Sequence, residues 1–144
     1  MRPDRAQFQT MNRRMIERIG TMPHAPLVEN GYALRVVRTT GRRTGAPRAV
    51  PLAVVSHDGR RWLVAPSGVR DWVANLDAHP SCTVDGDGSF TAQRSTGRDA
   101  APAAQLYCRA AEGTQSRFPF PPDADLDAVL AALPQMAVFE LTSA

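Results

Sequence analysis

Two apolar, β-rich runs enclose a short cationic turn, and this pattern constrains the fold more than any other in the chain. Ala33-Leu34-Arg35-Val36-Val37 precedes the turn, and Ala49-Val50-Pro51-Leu52-Ala53-Val54-Val55 follows it. Gly41 and Gly45 lie between the runs, and glycine permits a tight reversal of the backbone. The pattern predicts two neighbouring antiparallel strands, about Ala33–Thr39 and Arg48–Ser56.

The same alternation of short strand and tight turn recurs down the chain. His57-Asp58-Gly59 and Asp85-Gly86-Asp87-Gly88 are hairpin signals, because Asp-Gly readily supplies positive φ. The further strands are predicted at Arg61–Ala65, Cys82–Val84, Ser89–Gln93 and Met136–Leu141. About six short strands joined mostly by turns predict an α+β fold with a mostly antiparallel sheet. A small six-stranded barrel fits this count better than a doubly wound sheet.

Helical patterns occur at the start, middle and end of the chain. Apolar residues at 8, 11, 15 and 19 predict an amphipathic helix over Asp4–Ile19, with Pro3 and Asp4 as its start signal and Gly20 as its stop. It is interpreted as a surface helix packing one face on the domain. The alternative is weak peripheral contact with an anionic lipid surface or a partner, without stable insertion.

Three more helices are expected within the barrel sequence. They are predicted at Arg70–Ala78, at Asp99–Ala111 with Leu106 and Tyr107 as its best anchors, and from a cap at Asp123 or Asp125 through Leu133. The stretch Arg117–Pro122 contains three prolines and is expected to be a loop.

Length and composition indicate an ordinary globular chain. Its 144 residues predict one domain: 1–28 as the N-terminal helix and linker, 30–144 as the barrel with inserted helices. No apolar run approaches the ~20 residues that span a bilayer, and residues 1–8 lack the apolar core of a signal peptide, so a cytoplasmic protein is expected. Cys82 and Cys108 are interpreted as small core residues. No Cys/His cluster has metal-ligand spacing, so no metal site is predicted.

The charged residues limit the kinds of ligand or partner that the chain is expected to bind. The 17 Lys+Arg residues are all arginines, and the net charge is only +3. A nucleic-acid binder would carry a larger excess, with aromatic residues interleaved for base stacking, so nucleic acid is not an expected partner. Any anion would be held by planar guanidinium groups.

The turn itself is a candidate anion site. Backbone N–H groups of a glycine-rich turn can converge on one anion, and Arg42, Arg43 and Arg48 can add bidentate contacts to phosphate or carboxylate. Thr44 adds a neutral donor. The alternative interpretation is a solvated hairpin tip. The spacing is not that of a phosphate-binding P-loop.

A second stretch, Ala65 to Asn75, leaves a strand and enters a helix. Ser67 could donate a hydrogen bond there, but no Gly-x-Ser-x-Gly or His–Asp partner set accompanies it, so a serine hydrolase is not favoured. Trp72 fits either the core or the wall of a ligand pocket, with the core favoured. Since no paired carboxylates are evident, enzyme chemistry would belong to a bound cofactor.

Together these motifs resemble the deazaflavin-dependent nitroreductase family. The likeness rests on Thr39-Thr40-Gly41-Arg42-Arg43-Thr44-Gly45-Ala46-Pro47-Arg48, on Val50-Pro51-Leu52, and on Trp72-Val73-Ala74-Asn75-Leu76-Asp77-Ala78-His79-Pro80. It implies a flavin-reductase-like split β-barrel that binds coenzyme F-420, whose flavin-like ring carries a polyanionic tail. It also implies hydride transfer from the reduced coenzyme to an electron-poor small molecule: an enone, quinone, imine or nitro compound.

The resemblance assigns roles by position. Tail contacts fall on Arg42, Arg43, Thr44 and Arg48, and ring contacts on Val50, Pro51 and Leu52. Other contacts fall on Ala65, Pro66, Ser67, Trp72 and Asn75, with Ser67 also the candidate contact to the substrate.

The departures from the family pattern concern the substrate side. Gly68 replaces a lysine, with Arg70 as a conceivable substitute; Ala53 and Val73 replace aromatic residues; and the pocket tyrosines near the C-terminal region have no match, Phe118 and Phe120 being the nearest aromatics. Two alternatives therefore stay open: a barrel that acts on a specialised metabolite without cofactor or redox chemistry, and an FMN-dependent reductase. A homodimer is one option for the assembly.

Overall fold

The computed structural model describes residues 5–144, in which helices surround a barrel of six strands. The helices are α1 (Arg5–Thr21), α2 (Asp71–Ala78), α3 (Ala101–Ala110) and α4 (Leu126–Ala132). The strands are β1 (Tyr32–Thr40), β2 (Pro47–His57), β3 (Arg60–Ala65), β4 (Ser81–Val84), β5 (Gly88–Arg94) and β6 (Ala137–Ser143). Single 3-10 turns lie at Gln115–Arg117 and Leu133–Gln135. The predicted start signal Pro3-Asp4 lies outside the described residues.

The strands form a closed barrel in the order β1-β2-β3-β6-β5-β4, and every pairing between described strands is antiparallel. This confirms the predicted α+β class and the six-stranded barrel. The sequence signals were sufficient because the two Asp-Gly hairpins set their registers locally, with Asp58 and Gly59 both at positive φ.

The barrel has two ends, which carry different elements. At the upper end, β1 turns into β2, β3 leads into the 66–70 loop, and α2 crosses the opening. At the lower end lie the β2–β3 and β4–β5 hairpins. The upper end therefore gathers the motifs that the sequence singled out.

Two hydrophobic cores stabilise the barrel. The interior is filled by strand residues such as Val54, Leu63 and Phe139, and α2 closes it from above with Trp72 and Leu76. The second core lies outside the barrel, beneath α3 and α4. It includes Val55, Trp62, Val64, Met136 and Val138 from the sheet side. Cys82 belongs to the interior core and Cys108 to the outer one, as predicted for both.

The packing of α3 adds to one prediction. Its fully buried residues are small: Ala101, Ala103, Ala104 and Cys108. Leu106 and Tyr107, predicted as its anchors, also pack against this core, half-buried at its margin. Small side chains let the helix axis approach the sheet closely, and the larger ones then project sideways. The cap of α4 is Asp125, whose side chain accepts a hydrogen bond from the Ala128 N–H at 2.9 Å.

The N-terminal helix packs along only part of its apolar stripe. Met15, Ile16 and Ile19 are half-buried, whereas Phe8 is 39% and Met11 53% exposed. The surface-helix interpretation therefore holds for its C-terminal half, which leads into a linker crossing the lower end.

A buried arginine ties that linker to the barrel. The Arg35 side chain is 4% exposed, and its Nε donates to Asp87 Oδ2 at 2.8 Å. Its Nη2 donates to the carbonyl of Ala25 in the linker, and His24 contacts the other Asp87 oxygen at 3.1 Å. A buried cation is tolerable only when it is paired and hydrogen-bonded in this way.

Candidate functional site

The two sequence motifs meet at the upper end through Arg42 and Asn75. The Asn75 side chain projects from α2 and is 5% exposed. Its Oδ1 accepts hydrogen bonds from the Arg42 backbone N–H and from Arg42 Nη1, both at 3.1 Å. Arg42 Nη2 also contacts Asp71 at 3.3 Å, at the start of the same helix. Helix α2 therefore fixes the position of the cationic turn through hydrogen bonds to Arg42.

The turn is closed internally as well. The Gly41 N–H donates to the Ala46 carbonyl at 2.8 Å, and the Gly45 N–H to the Gly41 carbonyl at 2.9 Å. Gly45 has φ +72°, a conformation that disfavours residues with a Cβ. The Thr44 hydroxyl accepts from the Ala46 N–H at 3.2 Å. Thr44, predicted as a ligand donor, thus already shapes the turn, and its hydroxyl proton stays available.

Two arginines of the turn remain unengaged. Among the described residues, Arg43 and Arg48 have no hydrogen-bond or ion-pair partner, and both are exposed. Arg48 lies directly across from Thr39, whose hydroxyl oxygen is buried without a partner in the described part of the chain. An anion at the turn would find two guanidinium groups without partners among the described residues.

The remaining predicted residues fall into different environments. Strand alternation places Pro51 on the outer face of β2, whereas Val50 and Leu52 face the barrel interior and pack on its core. Ala65 and Trp72 are core residues, and Trp72 packs on Phe139 with ring centroids 5.9 Å apart. The three β2 side chains therefore do not share one surface, although their roles toward a ligand stay a prediction.

The loop after β3 contains the predicted substrate contact. Pro66 and Ser67 are half-buried, and the Ser67 hydroxyl accepts from the Val69 N–H at 3.2 Å. Its proton is free to donate, so the predicted contact stays a prediction. A cation already stands beside Gly68: Arg94 Nη2 would lie 3.2 Å from a Cβ at that position. Asp77 and the Met136 carbonyl hold Arg94 there.

A cavity of about 340 Å³ opens on the outer face of β1 and β2, below the end of α3. Its lining is Tyr32, Leu34, Ala53, Tyr107, Ala110, Ala111, Glu112 and Thr114. Ala53, one of the departures from the family pattern, forms part of its floor, opposite Leu34 in the strand register. The sequence did not single out either tyrosine as a site residue.

Burial raises the pKa of the Tyr107 phenol, and the neighbouring Tyr32 adds to the rise. The charges of Arg70 and Arg117 partly offset this rise in the Tyr107 pKa. The hydroxyl is therefore protonated at neutral pH and can donate a hydrogen bond.

Other site types find no support in residues 5–144. No helix there combines the length and hydropathy that a membrane span requires. The same residues contain no group of three or more His, Cys, Asp or Glu side chains arranged to hold a metal ion.

The chain is thus a closed six-stranded antiparallel barrel that carries an arginine-rich turn at its upper end. The model of the F420H(2)-dependent quinone reductase family matches residues 7–116. The chain belongs to this family. It is therefore an F-420-dependent oxidoreductase, and the resemblance recognised from its motifs is confirmed.

Several solved structures are similar to this chain at low sequence identity. One, described as a domain-swapped dimer, is 23% identical over 90% of this chain and 96% of its own, with a TM-score of 0.55. A conserved hypothetical protein from Mycobacterium tuberculosis is 18% identical over 79% and 74%, with a TM-score of 0.52. An F420-H2 dependent reductase, FDR-A, is 24% identical over 82% and 99%, with a TM-score of 0.49. Among curated proteins, none matches the chain significantly.

Proposed function

We propose that this chain reduces a small electron-poor ring compound, with a quinone as the first candidate, and holds the tail of coenzyme F-420 at the turn between β1 and β2. The tail assignment is supported by the different contacts of the three arginines. Arg42 is engaged by α2, whereas Arg43 and Arg48 are exposed and without partners among the described residues. Guanidinium groups so placed suit a phosphate and a chain of carboxylates.

The residues of the site bind the coenzyme and orient it. Arg43 and Arg48 bind the tail, Thr39 lies opposite Arg48 in the strand register, and Pro51 presents an apolar surface on the outer face of β2. Bound reduced coenzyme supplies a hydride, that is two electrons and a proton, and one further proton from water completes the conversion of a quinone to a quinol.

Turnover of reduced F-420 with a quinone panel tests the reaction. Oxidation of the coenzyme is monitored by its absorbance. We expect it to require both protein and acceptor, with one quinol formed per coenzyme oxidised. Enones, imines and nitro compounds in the same panel determine how far acceptance extends. Turnover with FMN alone, or conversion of an acceptor with no cofactor present, would contradict the proposal in favour of the two alternatives.

We also propose a homodimer as the assembly. The exposed part of α1, with Phe8 and Met11 on its surface, offers apolar area for a second copy. Light scattering on the wild type and on Met11→Glu tests this: the wild type should have twice the chain mass and the variant a lower one. A monomeric wild type would contradict the dimer.

A further inference from the structure

The groove between α3 and the β1–β2 hairpin is an apolar depression on the outside of the barrel. Its volume of about 340 Å³ is at the lower end of the range for ligand pockets and admits one or two large side chains. Two of its lining residues, Tyr32 and Leu34, are 45% and 39% exposed. Exposed apolar side chains gathered in one patch mark an interaction surface. None of the lining residues belongs to α1, so the helix of the same chain leaves the groove open.

The wall that α3 contributes to the groove is rigid and carries one acidic group. The Tyr107 ring packs on Phe118 with ring centroids 5.7 Å apart, and on Tyr32 at 6.4 Å. Fixed aromatic rings lose little conformational freedom on contact, and tyrosine is enriched in protein interfaces. Glu112 also lines the groove, and its exposed carboxylate has no hydrogen-bond or ion-pair partner within residues 5–144. The groove therefore combines an apolar floor with an unpaired negative charge.

Helix α1 carries a complementary surface. Phe8 and Met11 are exposed in its N-terminal half. Met11, Arg14 and Arg18 follow one another at spacings of three and four residues, so they lie along one side of the helix. Both arginines are exposed and have no ion-pair partner in the part of the chain that the structure describes. The helix thus presents apolar side chains next to unpaired positive charge.

The helix and the groove lie on the same side of the molecule. Helix α1 packs against β1 and β2, and because core side chains fill the barrel interior, it lies on the outside of this hairpin, as the groove does. It extends from the upper end, where Arg5 is 3.9 Å from Asp71, toward the linker residue His24 beside Asp87 at the lower end. Two complementary surfaces on one side of a chain can join two copies about a twofold axis, which forms the contact twice.

We infer that α1 of one copy docks in the groove between α3 and the β1–β2 hairpin of a second copy, and that the second α1 docks in the first groove. The apolar side of α1 then covers Tyr32 and Leu34, and its arginines face Glu112. This contact rests on the homodimer proposed above and identifies the surface that forms it. Its duplication helps to reach the roughly 1,200–2,000 Å² of buried surface that is typical of a specific interface.

Cross-linking between two distinguishable chains tests the contact directly. Isotope-labelled Met11→Cys is mixed with unlabelled Leu34→Cys and treated with a short bis-maleimide, and mass spectrometry identifies the linked peptides. The native Cys82 and Cys108 are buried and should not compete. We expect a labelled–unlabelled product with Leu34→Cys and none with Leu126→Cys, which replaces an exposed leucine on α4. No product with Leu34→Cys, or equal products with both, would overturn the contact.

Sedimentation measures the same contact without a cross-linker. Leu34→Glu should weaken dimerisation at least about tenfold, because it places a charge in the apolar groove. Leu126→Glu, the matched exchange at a leucine that is 46% exposed, should leave the dissociation constant of the dimer unchanged. Dimerisation of Leu34→Glu with wild-type affinity would overturn the inference.

A charge exchange tests the role of the acidic group. Glu112→Arg should weaken the dimer several-fold, since it brings like charges together. Adding Arg14→Glu and Arg18→Glu to the same chain reverses the charge on α1 as well and should restore most of the affinity. No recovery would overturn the docking of α1 at this groove.

Turnover separates this surface from the proposed reductase activity. A wild type that is monomeric by sedimentation but oxidises reduced F-420 with a quinone would refute the interface and leave the reductase proposal intact. A wild type that forms the expected cross-link but neither binds nor oxidises the coenzyme would refute the reductase proposal and support the interface. A dimer in which Met11→Cys is linked to Leu126→Cys but not to Leu34→Cys would keep the homodimer and refute this groove as its surface.

Discussion

The three arginines of the β1–β2 turn lie within seven residues, but each has different contacts. Arg42 is bonded to Asn75 and Asp71, Arg48 faces an unsatisfied threonine, and Arg43 is exposed. Since guanidinium groups repel one another at short range, the carboxylate beside Arg42 reduces the strain of the cluster. By residue type the three are equivalent, but their contacts differ: Arg42 is bonded within the protein, whereas Arg43 and Arg48 have no partner among the described residues and are the proposed ligand-binding cations.

A residue-scale prediction concerns the thiols. Burial raises the pKa of Cys82 to about 11 from 9.0, and burial also raises that of Cys108. Both thiols should therefore resist a thiol-modifying reagent at pH 8 until the protein unfolds. Rapid labelling of one thiol in native protein, lost in Cys82→Ala, would contradict this.

The same shift gives a pH dependence of stability. A raised pKa means that the folded state favours the protonated thiol. The contribution of Cys82 is thus fully present below pH 9.0 and is lost as the pH rises through about 11. Urea unfolding of the wild type and Cys82→Ala between pH 8 and about 11 should show a wild-type advantage that shrinks with pH.

At the scale of elements, the β1–β2 hairpin and α2 act as one unit. Asn75 is separated from Arg42 by 33 residues in sequence. Its side-chain oxygen Oδ1 nevertheless accepts hydrogen bonds from both the backbone N–H and the guanidinium group of that arginine. The helix therefore sets the position of the turn, and through it the directions in which Arg43 and Arg48 can project.

Asn75→Leu tests this coupling. It should leave the Arg42 N–H unsatisfied, lower the free energy of unfolding by about 1–3 kcal/mol, and weaken F-420 binding although both ligand arginines remain. Asn75→Asp keeps the acceptor oxygen and should retain most of the affinity. Wild-type affinity in the leucine variant, measured by coenzyme fluorescence titration, would show that the turn holds its shape without α2.

Local signals in the sequence predicted the strands and hairpins well, because alternation and Asp-Gly turns act over a few residues. The predicted anchors of α3 were incomplete: Leu106 and Tyr107 do pack against the outer core, but the fully buried residues of the helix are small, because close packing on a sheet selects alanines. The Arg42–Asn75 contact could not be predicted, as it depends on how distant segments meet. The separation of Pro51 from Val50 and Leu52 was predictable from strand alternation alone.

At the scale of the whole molecule, the two ends of the barrel are stabilised differently. The upper end is closed by α2 and carries the candidate site. The lower end is closed by the buried Arg35–Asp87 pair, which also anchors the linker from α1 through Ala25 and His24.

Two aspartates of one hairpin allow a matched test of this closure. Asp87→Asn should lower the free energy of unfolding by about 3–5 kcal/mol, because it leaves the buried Arg35 without its counter-charge. Asp85 pairs with Arg38 on the surface, and Asp85→Asn should cost only about 0–1 kcal/mol. Equal losses in urea denaturation would show that burial of the lower pair is not what stabilises that end.

In the proposed function, the β1–β2 turn holds the coenzyme tail through Arg43 and Arg48. The most direct test compares dissociation constants of F-420 and of the deazaflavin lacking phosphate and tail, for wild type, Arg43→Ala, Arg48→Ala and the surface control Arg18→Ala. We predict that each turn variant binds F-420 about 10- to 100-fold more weakly, binds the tail-less compound unchanged, and that Arg18→Ala matches wild type in both. Wild-type F-420 affinity in both turn variants, or equal losses for the two ligands, would contradict the clamp.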